Sequence, residues 1–203
     1  MSNFKKRFII SLLAFPIIFI LLYQKTFFNL LIVIVCLFCA YEWSKIFKKK
    51  NYIYFLGFLI LLIFFISLLK TYNLENYNLK FLWLILIAWL TDIGGYIFGK
   101  LFRGPKLTKI SPNKTWSGAF GSLILSQFAF LIFFLDINYK LNFNIFFFQL
   151  LLSIVGQIGD ILMSYIKRIN KIKDTSNFIP GHGGFLDRLD GLIWIFIFGN
   201  FII

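Results

Sequence analysis

The sequence predicts an all-α polytopic membrane protein with about seven transmembrane helices and a cytoplasmic N-terminus. The first observation behind this prediction is that 60% of the 203 residues are hydrophobic. They fall in blocks close to or above the roughly 20 residues that cross a bilayer. The second is that basic residues gather in alternate connections between these blocks. Because lipid cannot satisfy free backbone groups, helices are the expected form. No linker or repeat divides the chain, so we expect one membrane-embedded domain over residues 1–203.

The predicted spans are the apolar blocks in chain order. They cover about 8–23, 27–47, 52–69, 81–99, 117–135, 144–166 and 189–203. The first follows a basic tail, as a signal peptide would, but its apolar run is long, Pro16 interrupts it and no small-residue cleavage site follows. The last reaches only about 22 Å at ~1.5 Å per residue, so a half-crossing is the alternative there.

The distribution of positive charge predicts the orientation. With a cytoplasmic N-terminus and seven spans, all but four of the 21 Lys and Arg residues lie on the cytoplasmic side. The four exceptions are Lys25, Lys70, Lys80 and Lys140. Cytoplasmic loops of membrane proteins carry an excess of Lys and Arg, which decides the orientation. The net charge of +13 is therefore mostly topological, and we expect no nucleic acid partner.

Two of the spans carry polar residues that a helix facing only lipid would not. Asp92 lies within the apolar 81–99 block, where a charge costs about 2.5–3.5 kcal/mol. Gly95 and Gly99 form a GxxxG, which lets another helix approach closely. Asp92 shares a helix face with Tyr96 and Lys100. A structural Asp paired with a basic residue of a neighbouring helix is the alternative to a site residue.

The 144–166 span has a polar stripe along one helix face. Its members are Gln149, Ser153, Gln157, Asp160, Ser164 and Lys167. The stripe approaches the cytoplasmic side, passes a carboxylate and ends in Lys167-Arg168. This pattern favours the wall of a polar cavity that is open to the cytoplasm, and a buried interhelical hydrogen-bond seam is the alternative.

Two cytoplasmic segments have residues suited to phosphate chemistry. In SPNKTW, a turn leads into the 117–135 span, and Lys114 and Thr115 can hold phosphate oxygens, although loop cations are often topological. In GHGGFLDRLDG (181–191), the glycines permit backbone that presents N–H groups to an anion. Carboxylates without clustered Cys or His suit Mg²⁺ rather than zinc. Cations beside a Mg²⁺ site indicate a phosphorylated substrate.

These residues resemble the signature of the phosphatidate cytidylyltransferases (CDP-diacylglycerol synthases). The matching positions of the run from Ser164 to Asp190 are Ser164, Lys167, Arg168, Lys173, Asp174, His182, Gly183, Gly184, Asp187, Arg188 and Asp190. Further matches are Asp92 with Tyr96, the Ser-Pro-x-Lys-Thr-Trp-x-Gly of 111–118, the Gly-Asp of 159–160, and Glu42-Trp43. The resemblance therefore covers most of the chain from about residue 40 onward.

The resemblance implies an enzyme that condenses phosphatidic acid with CTP, giving CDP-diacylglycerol and pyrophosphate, at a Mg²⁺-dependent site on the cytoplasmic face. It implies a homodimer in the bacterial inner membrane, with Asp160 and Asp187 holding two cations, Mg²⁺ and K⁺. Asp92 and Asp190 are further metal-site candidates. The implied catalytic residues are Asp160, Lys167, Asp187 and Arg188. The implied substrate-binding residues are Ser111, Lys114, Thr115, Arg168, Lys173, His182, Gly183 and Gly184.

Two rival interpretations remain. In a transporter or channel the polar stripe would be an ion path, but the Gly-Asp-Arg-rich segment beside it would then have no role. A CDP-alcohol phosphatidyltransferase would belong to the same chemical class, but its DG-x-x-AR pattern with further spaced Asp residues is absent from the sequence.

Overall fold

A computed structural model of the protein describes residues 25–47, 51–73, 77–135, 143–178 and 183–202. Helices form the regular structure of these residues, which confirms the all-α prediction for this part of the chain. The helices are α1 (Lys25–Ile46), α2 (Tyr52–Asn73), α3 (Tyr77–Phe102), α4 (Trp116–Ser126), a 3₁₀ helix (Gln127–Leu135), α5 (Asn144–Ile169) and α6 (Leu186–Ile202). The predicted span over 8–23 lies outside the described residues.

Five stretches of the described residues are long and apolar enough to cross a membrane. They are Lys25–Ile46, Tyr52–Asn73, Leu79–Phe102, Trp116–Phe133 and Asn144–Ile169. Each coincides with a predicted span within a few residues. The predicted span over 189–203 corresponds to α6, which begins earlier, at Leu186, and has 17 residues. At ~1.5 Å per residue α6 is about 25 Å long, which is shorter than a usual crossing.

The stretch predicted as one span over 117–135 changes helix type halfway. Eleven residues of α-helix are followed by nine of 3₁₀ helix. At the junction the side chains of Ser126 and Gln127 both donate to the carbonyl oxygen of Leu123, at 2.9 and 3.3 Å. Such side-chain bonds compete with the α-helical ladder. The 3₁₀ helix rises about 2.0 Å per residue, so it lengthens the crossing relative to an α-helix.

Helices α3 and α4 pack closely through small residues. A Cβ atom added at Gly94 would lie 2.5 Å from the carbonyl oxygen of Gly121, so only glycine allows this approach. The predicted GxxxG takes part, since Gly95 and Gly99 face Ser122 and Thr115 of the α4 side. The prediction that this motif serves helix packing is confirmed.

Helix α6 packs in the interior of the helix bundle. Its Phe196 is fully buried and makes edge-on contacts with Phe64 of α2 and Phe81 of α3, with ring centroids 6.2 and 5.2 Å apart. A Cβ atom at Gly156 of α5 would lie 2.7 Å from the Ile195 side chain. Interlocking of this kind holds the middle of α6 beside the middle of α5.

One end of the bundle collects the functional segments, because Glu42 near the end of α1 and Lys167 near the end of α5 both contact the start of α6. Side chains of α1, α5 and the 103–115 connection reach their partners at this end, as the contacts below show. Many large apolar side chains remain exposed along the helices, for example Leu37 and Phe120 at 65% and 60%. In a lipid environment such exposure is expected, because the surrounding solvent is as apolar as the side chains.

Candidate active site

A polar cavity of about 340 Å³ lies between α3, α4, α5 and the 103–115 connection. It brings together five of the residues that the sequence predicted for the site. These are Asp92, Ser111, Lys114, Thr115 and Asp160. They come from three separate stretches of the chain, so the cavity exists only in the folded protein.

The 103–115 connection folds back on itself and places Lys114 in this cavity. The amide of Leu107 donates to the Lys114 carbonyl at 2.8 Å, and the amide of Lys114 donates to the Ser111 carbonyl at 3.0 Å. The Lys114 ammonium forms an ion pair with Asp160 of α5. Thr115 is the N-cap of α4, where its hydroxyl accepts from the amide of Gly118 at 3.1 Å. The Thr115 hydroxyl, which the sequence predicted to bind phosphate, therefore caps α4 in this structure.

Asp160 is the centre of an acidic group that only the fold assembles. It interacts electrostatically with Asp92 of α3 and with Asp190 of α6. Two cations balance this group, since Lys114 and Arg188 both act on Asp92. Asp92 lines the cavity and has basic residues beside it, so its role as a site residue stays a prediction next to the structural alternative.

The polar stripe of α5 combines the two interpretations given above, at different depths. Earlier along α5, the Ser153 hydroxyl lies 2.9 Å from that of Thr91, which also lines the cavity, and both residues are buried. Gln149 is also fully buried, and with its amide oriented toward the available donors it accepts from Trp83 Nε1 and the Phe130 amide at 3.0 and 2.8 Å. This half is a hydrogen-bond seam. Nearer the end of the helix, Gln157 and Asp160 line the cavity.

Asp187 lies in a second, nearly buried cluster at the start of α6. Its Oδ1 accepts from the Lys167 ammonium at 2.7 Å. Its Oδ2 accepts from the amides of Thr175 and Gly184, at 2.8 and 3.0 Å, and lies 3.0 Å from the Thr175 hydroxyl. Burial acts to raise the pKa of Asp187, but the bonds from Lys167, Thr175 and Gly184 outweigh it and hold the pKa below its ordinary value.

The glycine-rich segment serves Asp187 in a way that the sequence did not predict. Gly183 has a φ of 85°, a conformation that glycine adopts readily, as expected for this segment. The Gly184 amide, however, donates to Asp187 within the protein. In the described conformation a carboxylate of the chain accepts this N–H group, and the role of Gly184 in substrate binding stays a prediction.

The predicted metal pair, Asp160 and Asp187, belongs to these two clusters, and each carboxylate is paired with a different lysine. Asp190 connects the clusters, since it interacts with both Asp160 and Lys167. Across the described ranges, no group of three or more His, Cys, Asp or Glu side chains is arranged to hold a metal ion. Metal binding at this pair therefore stays a prediction.

The remaining predicted residues lie at the edge of the site or outside the described residues. Arg168 is exposed and donates to the Ile172 carbonyl at 3.4 Å. Lys173 is exposed on the connection that follows α5. His182 lies outside the described residues, so its predicted role in substrate binding stays a prediction.

Glu42 and Thr175 are site residues whose roles the sequence did not reveal. Glu42 of α1 is fully buried, and its carboxylate accepts hydrogen bonds from the segment that leads into α6. Thr175 contacts both Glu42 and Asp187. A carboxylate inside an apolar block was the available signal. This signal identified Asp92 but not Glu42, which entered the sequence analysis only as a position that matches the family.

A model of the cytidylyltransferase family matches residues 52–203. A phosphatidate cytidylyltransferase of Rickettsia typhi is 34% identical over 181 residues, which are 85% of this chain and 79% of the relative.

Two further relatives match over shorter stretches. Phosphatidate cytidylyltransferases of Staphylococcus haemolyticus and Brucella suis are each 43% identical, over 117 and 111 residues. These alignments cover 56% and 54% of this chain, and 45% and 41% of the two relatives. The chain thus aligns with less than half the length of each of these relatives.

Proposed function

The chain belongs to the cytidylyltransferase family and is a nucleotidyltransferase enzyme, and from this premise we propose that it transfers CMP from CTP to phosphatidic acid. The products would be CDP-diacylglycerol and pyrophosphate. The names of the three relatives support the choice of substrate. The observation that supports it most directly is the polar cavity that holds the Lys114–Asp160 pair, because CTP is a highly charged molecule.

An apolar groove beside the cavity supports a lipid as the second substrate. The groove has a volume of about 440 Å³ and lies along α4 and α5, with Phe120 and Ile158 in its wall. It shares Leu107, Ala119 and Gln157 with the polar cavity. A phosphatidic acid molecule could therefore place its acyl chains in the groove and its phosphate in the cavity.

The residues of the site fit the magnesium ion that the family resemblance implies. Their donors are carboxylate oxygens, which Mg²⁺ prefers. Asp160 and Asp187 already hold a positive group each, the ammonium of Lys114 and that of Lys167. We propose that these two carboxylates hold Mg²⁺ and a second cation, K⁺, with Asp92 and Asp190 nearby. When bound, the metal neutralises charge on the transferring phosphoryl group.

The chain's own residues would carry out the rest of the reaction. An oxygen of the phosphatidate phosphate attacks the α-phosphorus of CTP, and the bond to the β-phosphate breaks as pyrophosphate leaves. A phosphate monoester is largely ionised near neutral pH, since its second pKa is about 6. A strong general base is therefore not required. The candidates to bind phosphate oxygens and balance their charge are Lys114, Lys167, Arg168, Lys173 and Arg188.

The setting we propose is a bacterial inner membrane, with seven spans, a cytoplasmic N-terminus and a homodimer. The asymmetry of Lys and Arg supports the orientation, because it places the 103–115 and 170–185 connections, and hence the site, in the cytoplasm. CTP would then reach the cavity from the cytoplasm and phosphatidic acid from the membrane.

One assay tests the proposed function. Membranes that contain the protein are incubated with CTP labelled in the cytidine moiety. The expected result is labelled lipid that forms only when both phosphatidic acid and Mg²⁺ are supplied, together with pyrophosphate. Ion flux without labelled lipid would favour the transporter interpretation. Labelled lipid formed without phosphatidic acid would contradict the proposed acceptor.

A further inference from the structure

Glu42 has an unusual environment for a carboxylate near the end of a membrane helix. It is fully buried, and both of its oxygens accept hydrogen bonds. Oε1 accepts from the Ser176 hydroxyl at 2.6 Å and the Phe185 amide at 2.9 Å. Oε2 accepts from the Leu186 amide at 2.9 Å and lies 3.0 Å from the Thr175 hydroxyl, whose one hydrogen can be donated either to Glu42 or to Asp187. These four donors are uncharged, and all of them lie more than 130 residues away in the sequence.

Two of the donors are backbone amides at the first turn of α6. The first amides of a helix have no partner within the helix, and the helix dipole favours negative charge at this end. A helix is usually capped by a side chain that comes just before it in the sequence, whereas α6 is capped by a carboxylate from another helix. The other two donors come from the connection after α5. Glu42 thus ties both ends of the 175–186 segment to α1.

The same segment provides the bonds that hold Asp187. The Thr175 hydroxyl is 3.0 Å from both Glu42 Oε2 and Asp187 Oδ2. The amides of Thr175 and Gly184, which bind Asp187, lie next to residues that bind Glu42. The contact at Gly184 is close as well, since a Cβ atom added there would lie 2.5 Å from Glu42 Oε2.

We propose that Glu42 is a positioning residue for the reaction, which acts through the 175–186 segment to fix Asp187 and its lysine partner. Glu42 is not among the residues that line the polar cavity. Its effect on turnover is therefore indirect, through the backbone amides and the Thr175 hydroxyl. The role in turnover rests on the proposed function, whereas the effect on the segment does not.

Glu42→Gln is the sharpest test, because it keeps the volume of the side chain. One carboxylate oxygen becomes an NH₂ group, which faces a hydroxyl and a backbone amide. The hydroxyl can rotate to accept, but the amide of either Phe185 or Leu186 loses its acceptor. Leaving such a buried donor unsatisfied corresponds to about a tenfold to hundredfold change in an equilibrium constant.

Trp43→Phe is the matched control. Trp43 is the next residue of the same helix, and it is similarly buried. Its indole N–H donates to the Tyr54 carbonyl at 2.9 Å, so its hydrogen bond ties α1 to α2, whereas the bonds of Glu42 tie α1 to the 175–186 segment. Trp43→Phe therefore shows what destabilising α1 does when the hydrogen bonds between Glu42 and the 175–186 segment are kept.

Two measurements are compared between these variants and the wild type. The first is amide hydrogen exchange in a peptide that covers 183–187. We expect Glu42→Gln to raise it about tenfold or more, with little change in α3 and α4, and Trp43→Phe to leave it near the wild-type rate. The second is kinetics. We expect Glu42→Gln to lower kcat about tenfold or more while the KM for CTP stays within about twofold, because the cavity is intact.

Ser176→Ala is a second variant for the case in which Glu42→Gln does not fold. It removes the 2.6 Å bond from the Ser176 hydroxyl to Glu42, and also the 3.2 Å bond that this hydroxyl accepts from the Phe178 amide. We expect a smaller change of the same kind in both measurements. Unchanged exchange over 183–187 in the folded variants would overturn the proposal. The proposal would also be overturned if kcat fell in both Glu42→Gln and Trp43→Phe in proportion to their loss of thermal stability. A wild-type protein without cytidylyltransferase activity would instead refute the proposed function, and the exchange experiment would still decide whether Glu42 fixes the segment.

Discussion

Substitution of the two carboxylates of the proposed metal pair by Asn should have unequal effects on stability. The Lys167–Asp187 pair is nearly buried, with side-chain exposures of 12% and 6%. In Asp187→Asn the new oxygen can keep the amides of Thr175 and Gly184, but the NH₂ group then faces the Lys167 ammonium. Removing one partner of a buried ion pair costs about 3–5 kcal/mol. We take the lower end, about 3 kcal/mol, because Lys167 retains some contact with solvent.

Asp160→Asn is the same chemical change in a different environment. The Lys114–Asp160 pair is more exposed, at 24% and 31%, and pairs of that kind contribute about 0–1 kcal/mol. The substitution also removes one of three neighbouring carboxylates, since Asp160 interacts with both Asp92 and Asp190. Relief of that repulsion offsets the lost pair. We therefore expect stability within about 1 kcal/mol of the wild type.

Thermal unfolding in detergent, without Mg²⁺, measures the difference. For a chain of this length 1 kcal/mol corresponds to about 2–4 °C in Tm, so Asp187→Asn should unfold about 6–12 °C below the wild type. Asp160→Asn should unfold within about 4 °C of it. Both variants should insert in the membrane, and both should lose turnover. An equal loss of Tm in the two variants would refute the argument from burial. Substantial activity in either one would remove that residue from the proposed metal pair.

Three further predictions concern phosphate binding, lipid binding and topology. Lys114→Ala and Arg188→Ala should each weaken the use of CTP or phosphatidic acid, measured as a lower kcat/KM, with normal membrane insertion; wild-type turnover in both would contradict their assignment to phosphate. Ala119→Phe, which adds bulk where the groove meets the cavity, should lower kcat/KM for long-chain phosphatidic acid more than for a short-chain analogue, and an equal loss for both would argue against acyl chains in the groove. Reporter fusions after Lys50 and at Asn113 should give a cytoplasmic signal, and fusions after Asn76 and Tyr139 should give a signal from the opposite face. A cytoplasmic signal from the Tyr139 fusion would contradict the seven-span topology.

The sequence by itself determined the features that depend on local periodicity and length. Apolar blocks of about 20 residues predict the long helices, because the helical rise and the bilayer thickness are fixed quantities. The GxxxG of Gly95 and Gly99 predicts a close helix contact, and the polar stripe of α5 predicts that one face of that helix avoids lipid. The GxxxG and the polar stripe both repeat within three or four residues, so they can be read without knowledge of the rest of the chain.

Only the tertiary structure decided which polar groups meet. The family resemblance implied the pair Asp160 and Asp187, and the fold shows their neighbours: Asp160 lies beside Lys114 and Asp92, and Asp187 has a separate set of donors. The 3₁₀ helix was also not predictable, because a contact from α5 contributes to it: Gln149 accepts from the Phe130 amide within that segment.

Glu42 shows the limit of the sequence most clearly. Nothing near position 42 indicates that its partners are Ser176 and the first amides of α6, which are 134 to 144 residues away. A buried carboxylate needs donors wherever the fold can provide them. Which donors those are depends on how the helices pack against one another, and a local pattern of residue types does not contain that information.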